Sequence, residues 1–295
     1  MKGVILVENS FVHPYMPNSV PENKKAMLDE LGINSVEDIY KSIIPDELLY
    51  KERLDIPEPI RSEYELKRHV MGILNRDITT EEYTSFLGAG CYKHQVPAIC
   101  DEINSRGEFL TAYCGDTYSD HGKMQAIFEY TSMMGELLDT DVVSYTTYDG
   151  GQAVASSLRM AVRAVREKGM AGKVILVPKT MNPEIYSQVV QYCRNVAEVR
   201  KIAYEPETGL MDLEELKEQL AKKNVAAVFF ENPTYLGNFE TRGEEIAKLA
   251  HDAGAYCVVQ TEVAALGIME SPVNQGADIV CGDIQPLGMH IQFGG

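Results

Sequence analysis

From about residue 140 onward, short runs rich in β-branched and aromatic residues alternate with longer amphipathic stretches of helical period. The β-rich runs at 142–146, 174–177, 199–203, 225–230, 256–259, 279–281 and 290–293 predict seven strands. Between the earlier ones, the segments 151–168, 183–195, 212–222 and 241–252 repeat their apolar positions every three or four residues and predict helices. Asn182 followed by Pro183 predicts an N-cap with proline at the first helical position, and Asp212 is expected to cap the next helix. Strand–helix alternation of this kind specifies a mostly parallel sheet covered on both faces. The fold expected is therefore α/β, a three-layer αβα sandwich around a mostly parallel seven-stranded sheet. Ligands of such sheets bind at the carboxyl ends of the strands, near helix N-termini.

Before residue 80 the pattern is polar and helical. Asn23 to Leu31 predicts a helix stopped by Gly32. Ser35 with an acid three residues on, Asp38, predicts the start of a second helix, and Ser62 that of a third reaching about Asn75. Residues 1–80 are thus expected to form a helical N-terminal arm and 81–295 a large domain. A further amphipathic helix is expected over 122–138, with Met133 and Met134 on an apolar core or interface face.

Composition narrows the function. The formal charge of −17 argues against nucleic acid or an anionic membrane surface as partner. No apolar run approaches the roughly 20 residues of a membrane-spanning helix, and the first residues lack the form of a secretory leader, so a cytoplasmic location is expected. The six cysteines, Cys91, Cys100, Cys114, Cys193, Cys257 and Cys281, form no C-x-x-C pair; they predict reduced, mostly buried thiols and no metal site.

One turn has the form of an anion site. Tyr148-Asp149-Gly150-Gly151 joins a predicted strand to a predicted helix, so backbone N–H groups and the helix dipole would meet a phosphate there. A glycine pair also serves an ordinary strand-to-helix turn, and both readings stay open. The turn is neither a G-x-x-x-x-G-K-[ST] loop nor a G-x-G-x-x-G fingerprint, so nucleotide binding is not expected.

The strand order, this turn and the phrase YEPETGLMDLEEL at 204–216 resemble fold-type-I pyridoxal-phosphate (PLP) enzymes. A sharper resemblance is to the alpha subunit of two-subunit glycine dehydrogenase (decarboxylating), the P-protein of the glycine cleavage system. It is carried by HPYMPN at 13–18, YELKRH at 64–69, FLGAGCYKHQVPA at 86–98 and RGEFLTAY at 106–113. QAIFEY at 125–130, YDG at 148–150, QPLG at 285–288 and FGG at 293–295 continue it in order. The resemblance implies an oxidoreductase subunit that decarboxylates glycine and passes the aminomethyl group to the lipoyl H-protein. It also implies that the beta subunit carries the PLP and that this chain is inactive alone. Family members continue into a smaller C-terminal domain, which this chain is expected to lack.

The chemistry of individual residues agrees with a chain that holds no PLP itself. Fold-type-I enzymes need an aldimine lysine and an aspartate that keeps the pyridinium nitrogen protonated. At the aspartate position stands Gln260, and the lysine region 283–293 contains none; no lysine follows Lys248. Lys179 and Lys123 are the remaining lysine alternatives, and Lys179 follows the second strand, the wrong place in the topology. No residue is therefore assigned a covalent role. Tyr113 and His94 are candidates for a pocket shared with the partner, His94 equally for capping or packing, and Asp149, Gly150 and Gly151 for a vestigial phosphate turn. The loop 114–122 departs from the family pattern, and its Asp116, Asp120 and His121 are expected to be surface polar groups without metal-ligand spacing. A non-catalytic scaffold or regulator with the same fold is the alternative function.

Overall fold

The computed structural model describes residues 12–50, 52, 55–87, 89, 93–109 and 121–291. The chain divides into two compact units, Met1–Asp77 and Ile78–Gly295.

In the first unit, α1 spans Pro21–Leu31, α2 Glu37–Lys41 and α3 Glu63–Leu74. Helix α1 stops where expected. Gly32 takes the left-handed conformation at φ 67°, its N–H bonds to Asp29, and the Ile33 N–H reaches back to Leu28 at 3.1 Å. Helix α3 opens on Ser62, whose Oγ accepts from the Glu65 N–H at 3.4 Å. Helix α2 starts one residue later than expected, with Val36 in the cap position. Only the reverse half of the expected box forms, as Asp38 Oδ2 accepts the Ser35 N–H at 3.1 Å and the Asn34 N–H at 3.2 Å. None of the residues of α1, α2 or α3 is buried, so these helices hold no core of their own.

The second unit contains α4 (Ala98–Asn104), α5 (His121–Leu138), α6 (Gly150–Glu167), α7 (Pro183–Cys193), α8 (Leu213–Leu220) and α9 (Gly243–Asp252). Its strands are β1 (Val174–Pro178), β2 (Glu198–Ile202), β3 (Val225–Asn232), β4 (Tyr256–Thr261) and β5 (Ile279–Cys281). They form one sheet in the order β2-β1-β3-β4-β5, every ladder parallel. The side chains of β3 alternate between the two faces, and each face is buried under helices. Val228 and Phe230 pack with Leu216, Leu220, Ile246 and Ala250 of α8 and α9. Ala227 and Phe229 pack with Val154, Leu158, Val162 and Val189 of α6 and α7. This is the three-layer αβα arrangement. Helix α6 supplies its stripe from Val154, Leu158, Ala161 and Val165, all 0% exposed, at the spacing of one helical face. Asp149, Asn182 and Asp212 cap α6, α7 and α8 through side-chain acceptors.

Five strands form among the described residues, not seven. Residues 142–146 take no regular secondary structure and pair with no strand of the sheet, and Val142 and Tyr145 stay 84% and 57% exposed. A run of strand composition becomes a strand only when another backbone completes its ladder. In the run 290–293, His290 and Ile291 are not in a strand, and residues 292 and 293 lie outside the described residues. No helix among the described residues is long and apolar enough to cross a membrane.

Candidate functional site

The chain enters the sheet at β1, moves outward to β2, then crosses back to β3, β4 and β5. The carboxyl edge of such a sheet collects the loops that carry chemistry. Three strands end in, or within two residues of, an acid: Glu231 closes β3 just before Asn232, Glu262 follows β4, and Asp283 lies two residues beyond β5. None of these acids was picked out from sequence. The available signal was an acid one to three residues after each apolar run.

Glu231 is 5% exposed. Its carboxyl accepts the Asn182 N–H at 3.1 Å and the Tyr235 N–H, so it ties the loop after β1 to the loop after β3. Burial pushes its pKa up to about 7, which the two backbone hydrogen bonds only partly oppose. Its register partner on β4 is Gln260, whose own partner on β5 is Cys281. Gln260 Oε1 is buried without a hydrogen-bond partner. A bare carbonyl oxygen in such a place is unfavourable, and an amide offers no negative charge where the fold's PLP enzymes carry one.

The turn at 148–151 is closed by its own chain. Asp149 Oδ1 accepts the Gln152 N–H at 2.6 Å, and Gln152 Oε1 accepts the Tyr148 N–H at 2.9 Å. A Cβ placed on Gly150 would lie 3.3 Å from Asp283 Oδ2, and one on Gly151 would lie 2.6 Å from Gln188 Oε1. The two glycines thus let Asp283 and α7 approach the first turn of α6. With the Asp283 carboxylate against that helix N-terminus, a phosphate dianion would meet like charge there. Together with uncharged Gln260 and the lysine-free stretch 283–293, these residues do not fit PLP. Lys179 does not repair the misfit. Its N–H bonds to Ile202 on the β2 side of β1, with β3 between it and β4.

Gly282 is the tightest glycine of the site. A Cβ there would overlap the backbone oxygen of Thr261, which cannot rotate away as a side chain can. Gly282→Ala is expected to destabilise the fold by about 1–3 kcal/mol through this overpacking. Urea unfolding checks it; an unchanged midpoint would show that β4 and β5 can separate freely at this edge.

His94 and Glu262 meet. His94 Nε2 lies 3.9 Å from Glu262 Oε1, with side chains 12% and 19% exposed. Glu262 Oε1 also accepts the Ala264 N–H at 3.2 Å. Burial raises the Glu262 pKa, as does the charge of Asp283, while the Ala264 N–H and His94 pull it down. Of the residues singled out from sequence, Asp149, Gly150, Gly151 and His94 are therefore placed at the sheet's carboxyl edge. Tyr113, Asp116 and Asp120, and the side chains of His121 and Lys123, lie outside the described residues. So do Cys91 and Cys114; Cys193 and Cys257 are buried free thiols, pushed up by burial to about 11 and about 12. Among the described residues no group of three His, Cys, Asp or Glu is placed to hold a metal ion.

Comparison with known proteins identifies the architecture. The family described as "Glycine cleavage system P-protein" matches residues 13–295. A protein of Pyrococcus horikoshii named "Probable glycine dehydrogenase (decarboxylating) subunit 1" is 38% identical over 283 residues, covering 95% of this chain and 61% of the relative. A protein of the same name from Staphylothermus marinus is 35% identical over 294 residues, covering 96% of this chain and 60% of the relative. Among solved structures, the glycine decarboxylase (P-protein) of the glycine cleavage system in inhibitor-bound form superposes with a TM-score of 0.74 at 31% identity. That match covers 97% of this chain and 61% of the solved one. The chain thus spans about three fifths of the length of the curated relatives it matches. With the family matched from residue 13 to residue 295 on a shared αβα architecture, the chain belongs to the glycine cleavage system P-protein family.

Proposed function

We propose that the chain serves as the alpha-type subunit of a two-subunit glycine decarboxylase. In this reading the complex decarboxylates glycine and passes the aminomethyl group to the lipoyl arm of the H-protein. The observation that carries it is the family match over 13–295, joined to a carboxyl edge built against PLP: Asp283 at the turn, Gln260 on β4 and no lysine in 283–293. The family's chemistry is PLP-dependent, so the cofactor belongs to the partner, a beta-type subunit with an aldimine lysine. PLP there supplies the electron sink for loss of carbon dioxide. This chain contributes shape, water exclusion and polar side chains to a shared pocket, with Tyr113 and His94 facing it. Residues 1–80 act as a helical arm and 81–295 as the large domain. A cytoplasmic location goes with this role.

Co-expression with the beta-type subunit, followed by glycine–bicarbonate carbon exchange in the presence of H-protein, tests the proposal. Exchange is expected only when both chains are present, and borohydride reduction with PLP is expected to label the partner and not this chain. A stable complex without exchange would point to the scaffold function instead. PLP trapped on the isolated chain would overturn the assignment of the cofactor to the partner.

A further inference from the structure

Among the described residues, the His94–Glu262 pair is the one contact between ionisable side chains at the site that brings a family-matching segment, 86–98, onto the end of a sheet strand. Glu262 is not free to wander. It directly follows β4, and its Oε1 is held by the Ala264 N–H at 3.2 Å in the cap of the short helical turn Val263–Gly267. Val263 beside it is buried against Met134 and Leu138 of α5. The carboxylate therefore sits on a rigid ledge, and the His94 ring comes to it with Nε2 foremost. No described residue hydrogen-bonds Nδ1 of His94.

We propose that Glu262 is a positioning residue that fixes the His94 ring through Nε2 and leaves Nδ1 as the nitrogen presented to the shared pocket. The proposal rests on the functional reading above, in which His94 faces that pocket. Its physical basis is that the partner of one ring nitrogen decides the tautomer and orientation of the other. At 3.9 Å the pair is at ion-pair distance and beyond a hydrogen bond; catalytic contacts of this kind often close fully only when the complete site is assembled. A surface salt bridge would contribute little, but here both side chains are mostly buried, which reduces screening. The role assigned to His94 is to hold or accept a proton at Nδ1 from a group bound in the pocket, with the positive charge then on the ring balanced by the Glu262 carboxylate.

Two measurements test this. The first needs no activity: long-range 1H–15N spectra of the histidine-labelled full chain, alone and with its partner subunit. In the wild-type complex the His94 ring is expected to show one fixed tautomer, and in Glu262→Gln a tautomer mixture. The second is glycine–bicarbonate exchange by the complex. Glu262→Gln and His94→Gln are each expected to lower kcat, by about tenfold to a hundredfold for a mispositioned group, with KM for glycine nearly unchanged. Glu262→Asp is expected to recover part of the loss, and the double variant to be no worse than His94→Gln alone. An unchanged His94 spectrum in Glu262→Gln overturns the positioning role whether or not the complex turns over. A changed spectrum with wild-type exchange in both variants overturns the link to the reaction. Absence of exchange by the wild-type complex overturns the functional reading and this proposal with it, while the spectra still report whether Glu262 orients the ring.

Discussion

Phe229→Ala is expected to lower the unfolding free energy by about 3–5 kcal/mol, the range for removing a fully buried aromatic ring and leaving a cavity. Phe229 is 0% exposed in the middle of β3, the central strand of the sheet, and packs into the cluster formed with Val154, Leu158, Ile175, Val177 and Val258. The ring therefore joins α6 to three adjacent strands, β1, β3 and β4. Collapse around the deletion is restricted because those strands are fixed by parallel ladders on both sides of β3. Denaturant unfolding of the variant measures the loss. A change below about 1 kcal/mol, within the range of ordinary surface substitutions and well under a cavity's cost, would show that this core layer is loosely packed. Because Phe229 lies two residues before Glu231 on the same strand, such looseness would also undermine the geometry of the carboxyl edge.

Glu231→Gln is expected to stabilise the fold at and above neutral pH, an effect that disappears in acid. In the folded protein burial disfavours the anion and pushes the carboxyl up to about 7 from its ordinary value of 4.5. Between those two values the folded state binds more protons than the unfolded state, so wild-type stability falls as pH rises through this window and levels off above it. At about 1.4 kcal/mol per unit the full effect is on the order of 3 kcal/mol. Glutamine keeps the acceptor for the Asn182 N–H and removes the charge. The variant and wild type should therefore unfold alike below about pH 4.5 and diverge toward pH 7, with the glutamine form the more stable. Thermal or urea unfolding across that range decides it. A wild-type protein whose stability rises from pH 5 to 7 by the same amount in both forms would show that Glu231 is ionised with a compensating partner.

Much of the fold was legible locally. The caps Ser62, Asn182 and Asp212 and the stop at Gly32 depend on a few neighbouring residues, and all four act in the structure. The buried runs at 174–177, 225–230 and 256–259 became strands because they are apolar on both faces, as a parallel sheet between two helix layers requires. The run at 142–146, Val-Val-Ser-Tyr-Thr, is also rich in β-formers and did not, since its ladder needs a partner backbone that local composition cannot report. The box expected at Ser35 formed only through Asp38, because the helix began at Glu37 and left the serine outside its first turn.

By itself the sequence determined the alternation that makes a doubly covered parallel sheet, the neutral residue Gln260 after an apolar strand, and the absence of any lysine in 283–293. These are properties of residue type and order, and they survive any arrangement of the chain. Only the tertiary structure decided which groups share a site. It set Asp283 against Gly150, so that a turn suited to phosphate is closed by a carboxylate. It brought His94 to Glu262, and it buried Glu231 deeply enough to hold its proton near neutrality. Charge, proton affinity and ligand fit depend on distance and solvent exclusion between residues far apart in the chain, and both are fixed only when the sheet and its covering helices come together.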